Sequence, residues 1–233
     1  MNTRKIKDGK TLATSLIMVS MLWGTGARAG EPGRGLSGQF EKDFLRMIIN
    51  HHYCALRITE LAAGTDLHRE VQTTAGEGTS PTPGTASTPA KSRLEDIRSL
   101  ARRNNRMQHE EILMAQGFLR KWYGISHAPQ LDEDGRNLIQ TLERAAAGAP
   151  FDHRFLEVFS RHHYVALTPS MTCVVASDPR HEELQRYCRS MVQAQLADIE
   201  EMRHLLNMEF NIPDYQPTRG ICGVHSGSDR DAP

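Results

Sequence analysis

Two pairs of adjacent histidines stand out among the residues that could do chemistry. His51-His52 lies in the stretch FLRMIINHHYCAL, and His162-His163 lies in FLEVFSRHHYVAL. Neutral imidazole is a ligand for copper, zinc, iron and nickel ions. Both pairs lie in apolar runs with helical spacing, where adjacent residues point about 100° apart. We therefore expect His51 and His162 to face the interior of a helical bundle. We expect His52 and His163 to lie on a flank, where each could bind a neighbouring helix or an external metal ion.

The two histidine pairs belong to an internal repeat that must position them. Residues 40–56 align with residues 151–167 at a constant offset, and QHEEI at 108–112 aligns with QLADI at 195–199. Each copy is typical of a hairpin of two helices. Four long amphipathic helices predict an all-α fold, a four-helix bundle built from two repeated helical hairpins.

Local signals predict where several helices begin and end. Ser92 and Glu95 have the spacing of a capping box, and Gly124 is a typical helix stop. Asp178-Pro179 predicts the start of the last helix, which should run to about residue 207. Pro169 should kink or shorten the helix that carries the second histidine pair. A further short helix is expected at 132–146.

The N-terminal sequence predicts an exported protein, and the remaining sequence predicts a single domain with a polar insert. Residues 1–29 combine a basic start, an apolar run and an Ala-Arg-Ala ending, which is the pattern of a cleaved signal peptide. We assign residues 30–212 to the duplicated bundle and 213–233 to an irregular C-terminal tail. Residues 73–92 are rich in Thr, Ser, Gly and Pro and predict a flexible insert in the first copy.

Charge and hydropathy exclude two classes of partner. The whole chain has 28 basic and 28 acidic residues, and residues 1–29 hold five basic residues and one acidic residue. Removal of that segment therefore leaves a net charge near −4, which gives no electrostatic case for nucleic acid. No later segment is long and apolar enough for membrane insertion. The expected location is outside the cytoplasm, in a bacterial periplasm.

Antiparallel pairing within the second hairpin predicts which residues meet. A register that places His162 level with Asp198 also places Cys173 opposite Cys188 at disulfide distance. We expect that disulfide, the alternative being two buried free thiols. Cys54 and Cys222 could pair only if the C-terminal tail folds back.

The same register in the first hairpin places His51 level with Glu111. Met47 lies one helical turn before His51, so a thioether could join the imidazole and the carboxylate. The candidate metal ligands are the two histidine pairs, the carboxylates level with them and the methionine one turn before the first pair: Met47, His51, His52, Glu111, His162, His163 and Asp198. The alternative is that Gln108, Gln195 and the carboxylates only satisfy buried imidazoles.

These motifs in combination resemble a bacterial family catalogued as domain of unknown function 305. The first copy carries the family pattern as FLRMIINHHYCAL with QHEEI, and the second carries it as FLEVFSRHHYVAL with QLADI. The resemblance implies an exported, ferritin-like helical bundle, with copper or silver binding through Met and His in some members. Val158 stands where the family pattern has the methionine, so the first copy is the better candidate for copper.

The leading hypothesis is a periplasmic metal-binding protein, with copper as the expected ion, that acts in sequestration or tolerance and is not an enzyme. One alternative is a structural or interaction bundle that binds no metal. A less favoured alternative is a di-iron carboxylate oxidase, for which Glu201-x-x-His204 is a single candidate motif.

Overall fold

The computed structural model describes residues 38–65, 82, 84–176 and 180–217. Four long helices and one short helix make up this part: α1 (Gly38–Ala63), α2 (Glu95–Tyr123), α3 (Glu133–Arg144), α4 (Ala149–Val174) and α5 (Glu182–Phe210). The all-α prediction is confirmed. The proposed signal peptide, Cys222 and the end of the tail lie outside the described residues.

The two helices of each hairpin are antiparallel, as the contacts between their ends show. In the first hairpin Tyr123, at the end of α2, bonds to Glu41 at the start of α1. In the second hairpin Cys173 and Cys188 join the end of α4 to the start of α5 in a disulfide. This finding confirms the predicted pairing of the two cysteines.

The two hairpins pack side by side, and the helices that meet between them are antiparallel. α1 contacts α4 around His51 and His162. α2 lies along α5, where Arg103 pairs with Glu201 and Lys121 pairs with Glu183 near opposite ends of the interface. Each long helix therefore contacts its hairpin partner and one long helix of the other hairpin. The two hairpins are related by an approximate twofold axis. α3 packs on α1 and α4 and links the two halves.

The helix ends agree with the sequence signals only in part. Gly124 ends α2 with a φ of 64°, a left-handed conformation that glycine adopts easily. Asp132 caps α3, since its Oδ1 accepts a hydrogen bond of 2.7 Å from Gly135 N–H. The predicted capping box is wrong: the N-cap is Leu94, no side chain caps the helix, and Ser92 lies two residues earlier with its hydroxyl bonded to the Leu94 backbone.

The ends of the last two helices bear on two further predictions. α5 begins at Glu182 after His181, and the start predicted at Asp178-Pro179 lies outside the described residues. Pro169 does not shorten α4, which continues to Val174. The disulfide at Cys173 holds that last turn against α5, which offsets the missing proline N–H group.

The second part of the predicted flexible insert is bound to the end of α1. Thr88 and Thr65 exchange backbone and side-chain hydrogen bonds, and Lys91 N–H donates to Leu61 O at 3.0 Å. Thr82 Oγ1 donates to the buried carboxylate of Glu60 at 2.5 Å. This part therefore differs from a free loop because it supplies hydrogen bonds to α1. The residues of the insert at 73–81 and 83 are outside the described part.

Two apolar clusters fill the bundle on either side of its middle. One lies towards the end of α1 and the start of α4 and includes Ile58, Leu100, Phe155 and Phe159. The other lies towards the disulfide and includes Ile48, with further members on α2, α4 and α5. The histidine pairs lie between these clusters along the helices. No helix of the described residues has the length and apolar character that crossing a membrane requires.

Candidate functional site

A buried polar layer crosses the bundle at mid-height. α1 and α4 contribute the histidine pairs, and α2 and α5 contribute amides and carboxylates at their repeat-related positions. The members are His51, His52, Asn104, Gln108, Glu111, His162, His163, Gln195 and Asp198. Burial of a polar group costs free energy unless the group has a hydrogen-bond partner, so the partners of each member bear on its role.

His51 and His162 stack on each other across the interface between α1 and α4. Their ring centroids are 3.7 Å apart and the ring planes differ by 17°. His162 Nε2 lies 3.1 Å from the backbone oxygen of His51 and donates to it, because a carbonyl can only accept. A neutral His162 therefore carries its lone pair on Nδ1. That nitrogen and His51 Nε2 are buried and have no hydrogen-bond partner among the described residues.

Burial keeps both stacked rings uncharged. Desolvation, followed by the proximity of His52 and His163, lowers the pKa of His51 to about 3. Desolvation, followed by the proximity of His51, also lowers the pKa of His162 well below the ordinary value. Both imidazoles are therefore neutral near pH 7, which is the state in which an imidazole binds a metal ion.

His52 forms the first of two imidazole–carboxylate contacts. Its side chain is fully buried, and its Nε2 lies 2.9 Å from Glu111 Oε2 on α2. The contact has ion-pair distance but lacks hydrogen-bond angles, so neither ring nitrogen of His52 makes a hydrogen bond within the described part of the chain. The expectation that the first hairpin brings its histidine pair to Glu111 is confirmed, although the contact is with His52 and not with His51.

His163 forms the second contact, and both of its ring nitrogens face acceptor oxygens. Its Nδ1 lies 3.0 Å from Phe159 O. Its Nε2 lies 3.1 Å from Asn104 Oδ1 and 3.2 Å from Asp198 Oδ2. Asp198 therefore meets the pair as predicted, but through His163.

His52 and His163 each contact a neighbouring helix, as expected for flank positions, and neither lies on an outer face. Both side chains are 0% exposed. The reason is that α1 and α4 each contact two neighbouring helices, so two directions about 100° apart both point into the bundle. The first histidine of each pair faces the other histidine helix, and the second faces α2 or α5.

The layer lacks a preformed chelate. In the described residues no three His, Cys, Asp or Glu side chains converge closely enough to hold a metal ion. Within the described part of the chain, Gln108 Oε1 and Gln195 Oε1 are nevertheless buried without a partner, as are His51 Nε2, His162 Nδ1 and both ring nitrogens of His52. Imidazole nitrogens are donor atoms of the type that transition-metal ions bind.

Comparison with known protein families adds an independent finding. The sequence model of the family "Domain of unknown function (DUF305)" matches residues 85–206. The chain belongs to this family. The match includes α2, α4 and α5, and with them Glu111, the second histidine pair and Asp198.

Comparison with solved structures finds CopM in two copper-bound forms. CopM in the Cu(I)-bound form has a TM-score of 0.49 and 18% identity, covering 73% of this chain and 97% of that chain. CopM in the Cu(II)-bound form has a TM-score of 0.48 and 18% identity, covering 70% and 94%. At this identity the likeness concerns the fold alone. No curated protein sequence matches the chain.

The methionines of the long helices, Met47 among them, are dispersed. Met47 is partly buried and packs against the apolar cluster next to the disulfide. Met114 on α2 is 48% exposed. Met191 and Met202 are buried, and their sulfur atoms accept hydrogen bonds from serine hydroxyls of α4. The arrangement therefore shows imidazoles and carboxylates in the layer without a convergent thioether group.

The motif proposed for a di-iron centre faces away from the layer. Glu201 forms an ion pair of 2.7 Å with Arg103 at the surface. His204 is exposed on α5. Iron carboxylate chemistry needs such groups inside the bundle, so this motif does not supply it.

Asn104 is the member of the layer that sequence reasoning missed. It lies one turn before Gln108 on α2 and is 1% exposed. Its position seven residues before Glu111 places it on the same helix face. That spacing is the signal that could have identified it.

Proposed function

We propose that this chain is an exported metal-binding protein that holds a copper ion through the central histidines of its bundle. Its role is sequestration or tolerance and not catalysis. The observation that carries the proposal is the pair of neutral, buried imidazoles of His51 and His162, which stack at 3.7 Å and present nitrogens without partners.

The energetics of the polar layer support a ligand. A buried polar atom without a hydrogen bond costs about 1–3 kcal/mol. A metal ion bound by the imidazole nitrogens would recover that cost in several places at once. Of the stacked pair, His162 offers Nδ1 and His51 offers Nε2, and His52 beside Glu111 supplies a third imidazole.

The donor types favour copper among the first-row metals. Imidazole binds divalent copper more tightly than divalent iron, cobalt, nickel or zinc. The carboxylate of Glu111 lies where it can orient His52 or bind the ion directly. We assign Met47 no direct contact, because it packs in the neighbouring apolar cluster.

The disulfide supports an oxidising compartment. Cys173 and Cys188 are both fully buried and form a disulfide within the second hairpin. Such structural disulfides are rare in reducing compartments. Together with the signal-peptide pattern of residues 1–29, the disulfide favours export to a periplasm.

The test is copper uptake by purified protein with and without the stacked pair. We expect the wild-type chain to retain Cu(II) after gel filtration and to give nitrogen hyperfine coupling in electron paramagnetic resonance. His51→Gln combined with His162→Gln should remove the retained ion. The matched control is His109→Gln with His204→Gln, which changes two exposed histidines. Unchanged uptake by a folded His51/His162 variant would refute the assignment.

A structural bundle without metal is the second candidate, and one observation favours it. Both ring nitrogens of His163 lie at hydrogen-bond distance from oxygens of Phe159, Asn104 or Asp198, so this ring is part of a network within the protein. A ligand that binds only the native state raises the melting temperature. A melting temperature that does not change with any copper concentration would therefore favour this candidate.

A further inference from the structure

The two hairpins end in the same way. When the repeat alignment is continued along the chain, Gly124 pairs with Asn211, and each follows its helix in a left-handed conformation, with φ of 64° and 55°. The next residues, Ile125 and Ile212, donate equivalent backbone hydrogen bonds to the last turn, at 3.1 Å and 3.2 Å. The chain therefore leaves α2 and α5 along related courses.

In the first half, this course leads to a helix that covers part of α1. Gln130 N–H donates to Asn50 Oδ1 at 3.0 Å, which holds the connection on α1. α3 follows, and its Gly135 O accepts a hydrogen bond of 3.5 Å from the thiol of Cys54. Arg57, one turn after Cys54, forms an ion pair with the end of α3. Both side chains are consequently buried.

The corresponding face of α4 is exposed within the described part of the chain. Val165 and Thr168 occupy the repeat positions of Cys54 and Arg57, and Thr172 lies one turn further along α4. Val165 is 50% exposed, whereas Cys54 is 3% exposed. Both threonines are exposed as well. We call Val165, Thr168 and Thr172 the α4 face, and it is the repeat equivalent of the surface that α3 covers.

The last described residues of the chain run along α4 towards this face. Tyr215 Oη donates to Glu157 O at 2.8 Å, about two helical turns before the α4 face. Pro217, the last described residue, is buried, so the chain still lies against the bundle at that point. Pro217 is also the repeat equivalent of Gln130, the residue that precedes the covering segment in the first half. Residues 218–233 follow it and lie outside the described residues.

We infer that residues 218–233 dock on the α4 face, as α3 docks on α1 in the first half. This inference goes beyond the proposed function and does not depend on metal binding. Its basis is the shared course of the two connections, the burial of Pro217 and the exposed face at the position where the repeat places a covering segment.

The chemistry of the two surfaces also favours this segment as the occupant. The α4 face offers one valine beside two threonines, which is a narrow and weakly apolar strip. A second copy of the chain or a separate amphipathic helix would need a broader apolar surface for stable association. The branched aliphatic side chains of the segment are Ile221 and Val224, which stand among small and polar residues. Two such side chains on a tethered segment match a strip of this width.

Disulfide cross-linking tests the placement in the full chain. If the repeat alignment continues past Pro217, Cys222 takes the place of Gly135 and lies beside Val165. In a Cys54→Ala background, Val165→Cys should therefore form a disulfide with Cys222 of the same chain under mild oxidation. Mass analysis of proteolytic fragments without reduction measures its yield.

The matched control is Leu113→Cys in the same background. Leu113 is 52% exposed, close to the 50% of Val165, but it lies on α2. We expect at least tenfold more disulfide to Cys222 from position 165 than from position 113. Equal yields would overturn the docking. A disulfide between two chains in place of one within the chain would also overturn it, because it assigns the α4 face to a second copy.

Methyl resonances give a second measurement that needs no introduced cysteine. Deletion of residues 218–233 should shift the Val165 methyl signals and increase their broadening by a soluble paramagnetic probe at least twofold. Leu113 and Leu196, which are 52% and 51% exposed on α2 and α5, are the reference signals and should not change. Unchanged Val165 signals in the shortened chain refute the docking, because the segment then covers nothing at this position.

Discussion

His51 and His162, which occupy the same position in the two repeats, meet face to face with their ring centroids 3.7 Å apart. The two copies of the hairpin therefore contact each other through residues at the same repeat position. Each of these rings is neutral in the folded chain because burial lowers its pKa. Their nitrogens make the centre of the bundle both a weak point in stability and a candidate place for a metal ion.

Stability of the metal-free chain should fall as the solution becomes more acidic. The pKa of His51 is about 3 in the folded chain and 6.5 in an ordinary environment. Between these two values the unfolded chain binds a proton that the folded chain does not, so acid favours unfolding. The expected slope is about 1.4 kcal/mol per pH unit for each such proton. Urea unfolding from roughly pH 7.5 to pH 5 measures it.

The matched variants for this prediction are His51→Gln and His109→Gln. The first removes the buried group and should reduce the slope by about one proton. The second removes an exposed imidazole and should leave the slope unchanged. A pH-independent wild-type stability over this range would contradict the assignment of neutral buried rings.

Glu111 should strengthen copper binding through His52. Its Oε2 lies 2.9 Å from His52 Nε2, so it either orients the ring or binds the ion. Loss of such a partner usually weakens metal affinity about 10–100-fold. We expect Glu111→Gln to show this loss in a competition titration with a coloured chelator. Glu110→Gln changes an exposed carboxylate next to it and should have the wild-type affinity.

Much of the fold could be predicted because the repeat constrains it. The constant offset between the copies predicts two hairpins, and antiparallel pairing then places Cys173 opposite Cys188, as observed. The level of the carboxylates relative to the histidine pairs follows from the same argument. These are relations within one hairpin, where the chain connection fixes the register.

Relations between the hairpins could not be predicted in the same way. No chain connection fixes how α1 faces α4 or how α2 faces α5. The helical spacing of apolar residues indicates only the centre of the buried face of each helix. The burial of His52 and the contact of Asn104 with His163 both depend on that packing. The sequence therefore indicates which residues form the layer but not which of them contact each other.

The disulfide should stabilise the second hairpin substantially. It closes a loop with a sequence separation of 15 between Cys173 and Cys188. A loop of this size corresponds to about 3 kcal/mol through restriction of the unfolded chain. Cys173→Ala combined with Cys188→Ala should lower the free energy of unfolding by about this amount. Cys54→Ala, which removes a buried thiol outside the disulfide, should cost less, and an equal loss would contradict the argument.

Glu41 should hold the disulfide end of the bundle closed. Its carboxylate is fully buried at the start of α1 and accepts hydrogen bonds from the hydroxyl of Tyr123 and from His181. His181 gives two of these, from its backbone N–H at 3.2 Å and from Nδ1 at 2.7 Å. One carboxylate thereby joins the start of α1 to the end of α2 and the start of α5.

Removal of a single donor from this carboxylate tests its importance. Burial and the bond to Glu41 raise the pKa of Tyr123, so its hydroxyl remains a donor at every pH of interest. A hydrogen bond to a charged group contributes about 1.5–3 kcal/mol, and Tyr123→Phe should lower the free energy of unfolding by about 2 kcal/mol. Tyr164→Phe is the control, because in the described residues the Tyr164 hydroxyl has no hydrogen bond. If chemical denaturation shows equal effects for the two variants, the Glu41 carboxylate does not depend on the Tyr123 donor and the helix ends must be held together by apolar contacts.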